Sequence, residues 1–145
     1  MRLWMAAAIA MSLIACGEEK KVEFDPHPKL ELTSVAPSSL KALLDTLRVT
    51  VRYSDGDGDL GHAHPDSHAV FATDSRNGVV HRFRLPPLAP DDQGPIPITG
   101  NLVVVIGGIP NLSGRSENVG FEIFLKDRAG NRSNVVSTPP VEVLP

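Results

Sequence analysis

The stretch Leu47-Arg48-Val49-Thr50-Val51-Arg52-Tyr53 decides the fold class. Leu47, Val49, Val51 and Tyr53 alternate with Arg48, Thr50 and Arg52. Successive strand side chains point to opposite faces, so this segment has one apolar face and one polar face. A half-buried antiparallel strand reads this way, whereas a helix needs apolar residues every three or four positions. The alternation returns twice more. Val79, His81, Phe83 and Leu85 alternate with Val80, Arg82 and Arg84, and Val119, Phe121, Ile123 and Leu125 alternate with Gly120, Glu122, Phe124 and Lys126. Residues 102–106 are apolar throughout, which predicts a more central strand. Residues 30–35, 69–73 and 134–138 predict further strands, and Val141-Glu142-Val143 extends the last.

The punctuation agrees with strands. Asn77-Gly78 predicts a tight hairpin, because both residues tolerate positive φ. Gly107-Gly108 closes the 102–106 strand, and Pro86, Pro87, Pro90, Pro95 and Pro97 exclude a central strand or helix from their connection. Residues 40–44 are the one helical-turn candidate. About seven short strands with no long helix predict an all-β fold, an immunoglobulin-like antiparallel β-sandwich spanning residues 29–145. A small up-and-down barrel is the rival. The chain has a single Cys and a single Trp, both in its first sixteen positions. The inter-sheet disulfide and buried Trp of antibody domains are therefore missing, and Val, Ile, Leu and Phe must hold the core. The aromatic residues expected in it are Tyr53, Phe71, Phe83 and Phe121. Phe124 has the opposite parity and is expected under a neighbouring loop.

The 145 residues carry a net charge of -3, which gives no reason to expect nucleic acid. All three Met, the Trp and the Cys fall within residues 1–16. Met1-Arg2 is a short basic start, and Leu3 to Ala15 is apolar apart from Ser12. This run is too short for a bilayer-spanning helix and suits the apolar core of a signal peptide. It ends in Leu13-Ile14-Ala15-Cys16-Gly17, which resembles a bacterial lipobox. The resemblance implies that residues 1–15 are a lipoprotein signal peptide and that Cys16 carries covalent lipid, palmitate included. Residues 16–28 then form a charged, Pro-punctuated tether, and the membrane is a partner through the anchor.

Two loops carry the candidate chemistry. Asp55, Asp57 and Asp59 alternate with Gly56 and Gly58 directly after the Leu47–Tyr53 segment. Three carboxylates this close repel one another, and the interleaved glycines let them converge on a hard cation such as Ca²⁺. An EF-hand is rejected, since Leu60 occupies its glycine position and Asp66 its glutamate position. The second loop, Asp-Arg-Ala-Gly-Asn-Arg-Ser-Asn, occupies residues 127–134. In an immunoglobulin-like order both loops lie at one end, so Asp127 and Asn131 are expected to face Asp55, Asp57 and Asp59. Asp127 equally suits an Asx-turn.

The segments YSDGDGDLG (53–61) and FLKDRAGNRSN (124–134) resemble the immunoglobulin-like or cadherin-like domains of Bacteroidota surface lipoproteins. Glu18-Glu19 after the Cys resembles their acidic export signal. The resemblance implies an outer-membrane lipoprotein of a Gram-negative cell envelope, with calcium at the Asp-rich loop. This chain departs from it in a His-rich insert.

His62, His64 and His68, with Asp66, are the alternative metal set, suited to zinc or copper. They define the competing reading: a small periplasmic or surface metal-binding protein or metalloenzyme. His81 is expected at the core or its rim. No nucleophile elbow, zincin or phosphate-loop motif is present, and the single Cys is assigned to the anchor. Carbohydrate stacking is disfavoured by the lack of Trp after residue 4. The expectation is a non-catalytic envelope protein with a binding, adhesion or accessory structural role and a protein partner in the envelope.

Overall fold

The computed structural model describes residues 25–90 and 94–145. The expected signal peptide (1–15) and Cys16 lie outside the described residues. Among those described there is no helix. The described residues form ten strands: β1 (Lys29–Ala36), β2 (Ser39–Lys41), β3 (Leu47–Asp55), β4 (Val70–Asp74), β5 (Val80–Phe83), β6 (Ile98–Ile106), β7 (Glu117–Val119), β8 (Phe121–Leu125), β9 (Val136–Ser137) and β10 (Val141–Leu144).

Hydrogen bonds order them β1-β3-β6, β5-β4-β8-β9 and β2-β10-β7. All pairs are antiparallel except β2 with β10. Consecutive strands therefore do not simply neighbour each other, which rules out the up-and-down barrel. Gly120 alone separates β7 from β8, and Thr138-Pro139-Pro140 separates β9 from β10. The prolines supply no N–H to a ladder. At this break the Phe121 N–H donates to the Thr138 hydroxyl at 2.9 Å, and the Thr138 N–H donates to the Phe121 carbonyl at 2.9 Å. The result is two facing layers, as in a β-sandwich.

The alternating segments bury the residues they should. Leu47, Val49 and Val51 of β3 pack with Phe121, Ile123 and Leu125 of β8, Val70 and Ala72 of β4, Val104 and Ile106 of β6, and Val141 and Val143 of β10. Residues 25–145 thus contain the whole described core. Of the expected tether, Pro28 is already buried, and Asp25 binds both the His27 N–H and the Lys29 ammonium at 3.0 Å.

Four expectations need correction. Residues 102–106 belong to an edge strand, with Val103 and Val105 facing solvent. Their unbroken apolar run concealed a period of two. Residues 40–44 form no helix. Leu40 is buried where β2 pairs with β10, and Leu43 sits at φ 61° in a turn that the Asp45 carboxylate closes on the Lys41 N–H. Phe71 is not a core residue. It lies on the outer face, stacked on Phe124 with centroids 4.9 Å apart, and the Arg132 guanidinium covers Phe124 at 3.7 Å. Val79 is exposed, because the Asn77-Gly78 turn is a four-residue loop closed by Asp74–Val79 pairing and β5 starts only at Val80. His81 lies half-buried at the rim, edge-on to Phe121 at 5.8 Å.

Candidate metal centre

Asp55 is the last residue of β3 and has the same parity as Leu47, Val49 and Val51, so its carboxylate points inward. Asp127 follows β8 with the parity of Ile123 and Leu125, and it too points inward. They are 3% and 2% exposed. Hydrogen bonds from the Ala129 and Arg128 N–H groups to Asp59 put the ends of both strands at the same end of the sandwich. The two Asp-bearing loops therefore meet.

The Pro-rich connection clamps the first loop from outside. Gly58 lies at φ +72° against the Ile96 carbonyl, and the Ile96 N–H donates to the Asp57 carbonyl at 3.2 Å. Gly61 lies at φ +86°, and a Cβ there would sit 2.1 Å from the Pro86 carbonyl oxygen. Leu60 between them is fully buried. The second loop binds the first directly. The Ala129 N–H donates to Asp59 Oδ2 at 2.9 Å, and the Arg128 N–H donates to the Asp59 carbonyl at 3.3 Å. Asp127 Oδ1 accepts the Asn131 N–H at 2.7 Å, closing its own turn. Asp127 thus closes its turn through Oδ1, while Oδ2 is left without a hydrogen-bond partner. In these contacts Asn131 contributes backbone groups, its N–H to Asp127 Oδ1 and its carbonyl to the Asp127 N–H.

Among the described residues, five buried carboxylate oxygens have no hydrogen-bond partner by geometry: both of Asp55, and one each of Asp57, Asp59 and Asp127. One oxygen from each of Asp55, Asp59 and Asp127 lies within 4.8 Å of the other two. Oxygens at 2.3–2.6 Å from a shared Ca²⁺ stand at such separations from one another. Buried, unpaired carboxylates are costly unless they coordinate a cation. The donor set is oxygen alone, which suits a hard cation rather than zinc or copper. Burial, and then the charges of Asp57, Asp59 and Asp127, push the Asp55 carboxyl up to about 6. Asp59 is also raised, mainly by burial. Asp57 shares the loop and its charge, but it is not in the converging trio.

The histidine set is arranged differently. Among the described residues, Asp55, Asp59 and Asp127 are the one group of three or more His, Cys, Asp or Glu whose ligand atoms converge. His64 and Asp66 are exposed, with the Asp66 N–H donating to His64 Nδ1 at 3.3 Å. His62 and His68 line an open cleft of roughly 290 Å³ together with Phe71, Lys126 and Asp127. Sequence reasoning missed the clamp formed by the 86–97 connection, because those contacts are non-local.

Comparison of the chain with protein-family models, curated proteins and solved structures returns no match. Among the described residues, no helix is long and apolar enough to cross a membrane.

Proposed function

We propose that this protein is a non-catalytic, lipid-anchored component of a Gram-negative cell envelope. In this reading an immunoglobulin-like sandwich, stabilised by calcium at Asp55, Asp57, Asp59 and Asp127, serves a binding, adhesion or accessory structural role. The observation that carries the calcium reading is the set of unpartnered, buried carboxylate oxygens where two loops meet.

The immunoglobulin-like assignment draws on strand order. Strands β1/β2, β7/β8 and β9/β10 are each one run of chain, so the ten strands are seven runs. The first, second and fifth runs share one layer, and the third, sixth and seventh share the other, as in immunoglobulin-like domains. The fourth run, β5, lies beside β4 rather than beside β6. The anchor reading rests on the sequence of residues 1–17.

Calcium modules outside the cell bind with dissociation constants of about 10⁻⁴–10⁻³ M. Tenfold excess over that constant stabilises a fold by about 1.4 kcal/mol. Thermal melts of residues 17–145 with Ca²⁺ or Zn²⁺ test the reading. A Ca²⁺ upshift lost in Asp57→Ala supports it. A Zn²⁺ response lost in His64→Ala, without a Ca²⁺ response, would replace it with the histidine-site alternative.

A further inference from the structure

A sheet edge exposes unpaired N–H and C=O groups that invite another strand, and proteins blunt such edges with charge, proline, bulges or short length. Among the described residues, five of the six sheet edges are blunted. The β1 edge breaks register between Leu32 and Ser34, and its start is capped by Asn134, which bonds both the N–H and the carbonyl of Leu30. Strand β5 has four residues, including His81 and Arg82, and β9 has two residues before Pro139-Pro140. Strands β2 and β7 have three residues each.

Strand β6 has none of these protections. It runs nine residues, Ile98–Ile106, with no charge and no proline. Its pairing with β3 is unbroken from Ile98 to Ile106. No described backbone group pairs with its other edge. Val103 and Val105 beside it are 49% and 40% exposed. On the inner side, Leu102 and Val104 open onto a groove of roughly 240 Å³ that Val70 and Phe83 also line. Arg84 borders that groove, with its guanidinium donating to the Ala63 carbonyl. The edge is open because β5 pairs with β4 and leaves β6 uncovered.

We propose that the β6 edge is a self-association surface, through which two copies pair antiparallel into one continuous sheet. The occupant is a second copy because an uncharged strand meets no repulsion from itself. A two-fold axis also lets one surface serve both partners. Full overlap of Ile98–Ile106 places the axis at Leu102, so Asn101 faces Val103 of the other copy and Thr99 faces Val105. Side-chain parity is kept, and the exposed valines of both copies cover one outer patch. The strip is about 30 Å long, a single-strand contact of the small kind found in weak, transient interfaces. A weak dimer follows, populated only at high protein concentration.

Sedimentation equilibrium of residues 17–145, from roughly 1 µM to 1 mM, tests this. A monomer–dimer equilibrium is expected. Val103→Lys, at an exposed position, should raise the dissociation constant at least tenfold without lowering the thermal midpoint. Val79→Lys, on the β5 side, should leave association unchanged. An Asn101→Cys/Val103→Cys variant should oxidise to a disulfide-linked dimer, since directly opposed Cβ atoms lie within bridging reach. A monomer at every concentration overturns the proposal, as does a dimer indifferent to Val103→Lys. So does an edge that accepts foreign extended peptides but not its own copy.

Discussion

Asp55→Asn separates a built cation site from an ordinary acidic turn. Asp55 is almost fully buried, its oxygens make no hydrogen bond of regular geometry, and the weak pull of the Leu60 N–H does not offset the three other carboxylates around it. Its carboxyl is raised from 3.8 to about 6. The metal-free folded state thus holds this proton more tightly than the unfolded chain does. The associated stability is complete below about pH 3.8 and is lost as pH rises through about 6. Two pKa units correspond to about 3 kcal/mol at most, and solvent screening and sharing of the proton among neighbouring carboxylates reduce this, so the ionised Asp55 destabilises the metal-free protein by about 1–2 kcal/mol at pH 7.5. Asparagine does not ionise, and its amide can donate to Asp59 or Asp127. In chelator at pH 7.5, Asp55→Asn should therefore be more stable than the parent by about 1–2 kcal/mol, a rise of roughly 3–8 °C in midpoint for a domain of this size. Near pH 4 the difference should nearly vanish. With millimolar Ca²⁺ the parent should gain stability and the variant should not. Calorimetric melts at both pH values, with and without chelator, read all four numbers. A variant that is less stable than the parent in chelator and keeps a full Ca²⁺ upshift would refute the reasoning.

Other outcomes follow from the same contacts. Arg76 pairs with Asp74 and Glu117, each at 2.7 Å. Burial pushes the Asp74 carboxyl up, but the Arg76 side chain and backbone N–H outweigh it, and the net shift is downward. Arg76→Met removes the ion pair but leaves Asp74 the backbone N–H of residue 76, and chemical denaturation should show a loss of about 2–4 kcal/mol. The stability that this low Asp74 pKa confers is present above the ordinary carboxylate range and disappears as pH falls below it, so acid should narrow the gap between Arg76→Met and the parent. Gly61→Ala drives a Cβ against the Pro86 carbonyl at positive φ, and it should lower both the melting midpoint and the Ca²⁺ response. Ile123→Ala empties a fully buried position on β8 and should lose about 2–5 kcal/mol by denaturant titration. Palmitate labelling in cells should mark the full chain and fail in Cys16→Ser; label retained in that variant would refute the anchor.

Where a segment alternates, its faces were legible. The period of two through Leu47–Tyr53 continues to Asp55, and that through Phe121–Leu125 continues to Asp127. Counting on by two from the core therefore places both carboxylates inward. The order of the runs then brings their loops together, so much of the candidate site could be read before any contact was known. Legibility failed where every position is apolar. In residues 69–72 and 102–106, composition alone gives no parity, so nothing local shows that Phe71 faces outward or that β6 lies at a sheet edge. It failed again where a partner is distant in sequence. The parallel pairing of β2 with β10, the Arg76–Glu117 ion pair and the packing of Ile96 and Pro86 on the Asp loop leave no local trace.

The central claim is that Asp55, Asp59 and Asp127 converge to hold a cation. Equilibrium dialysis of metal-free residues 17–145 against Ca²⁺, with the proton count followed in weak buffer at pH 6, measures this directly. The account predicts about one Ca²⁺ per chain, bound with release of a fraction of a proton and lost in both Asp55→Asn and Asp127→Asn. No bound Ca²⁺ at several millimolar, or binding that survives both substitutions, would contradict it.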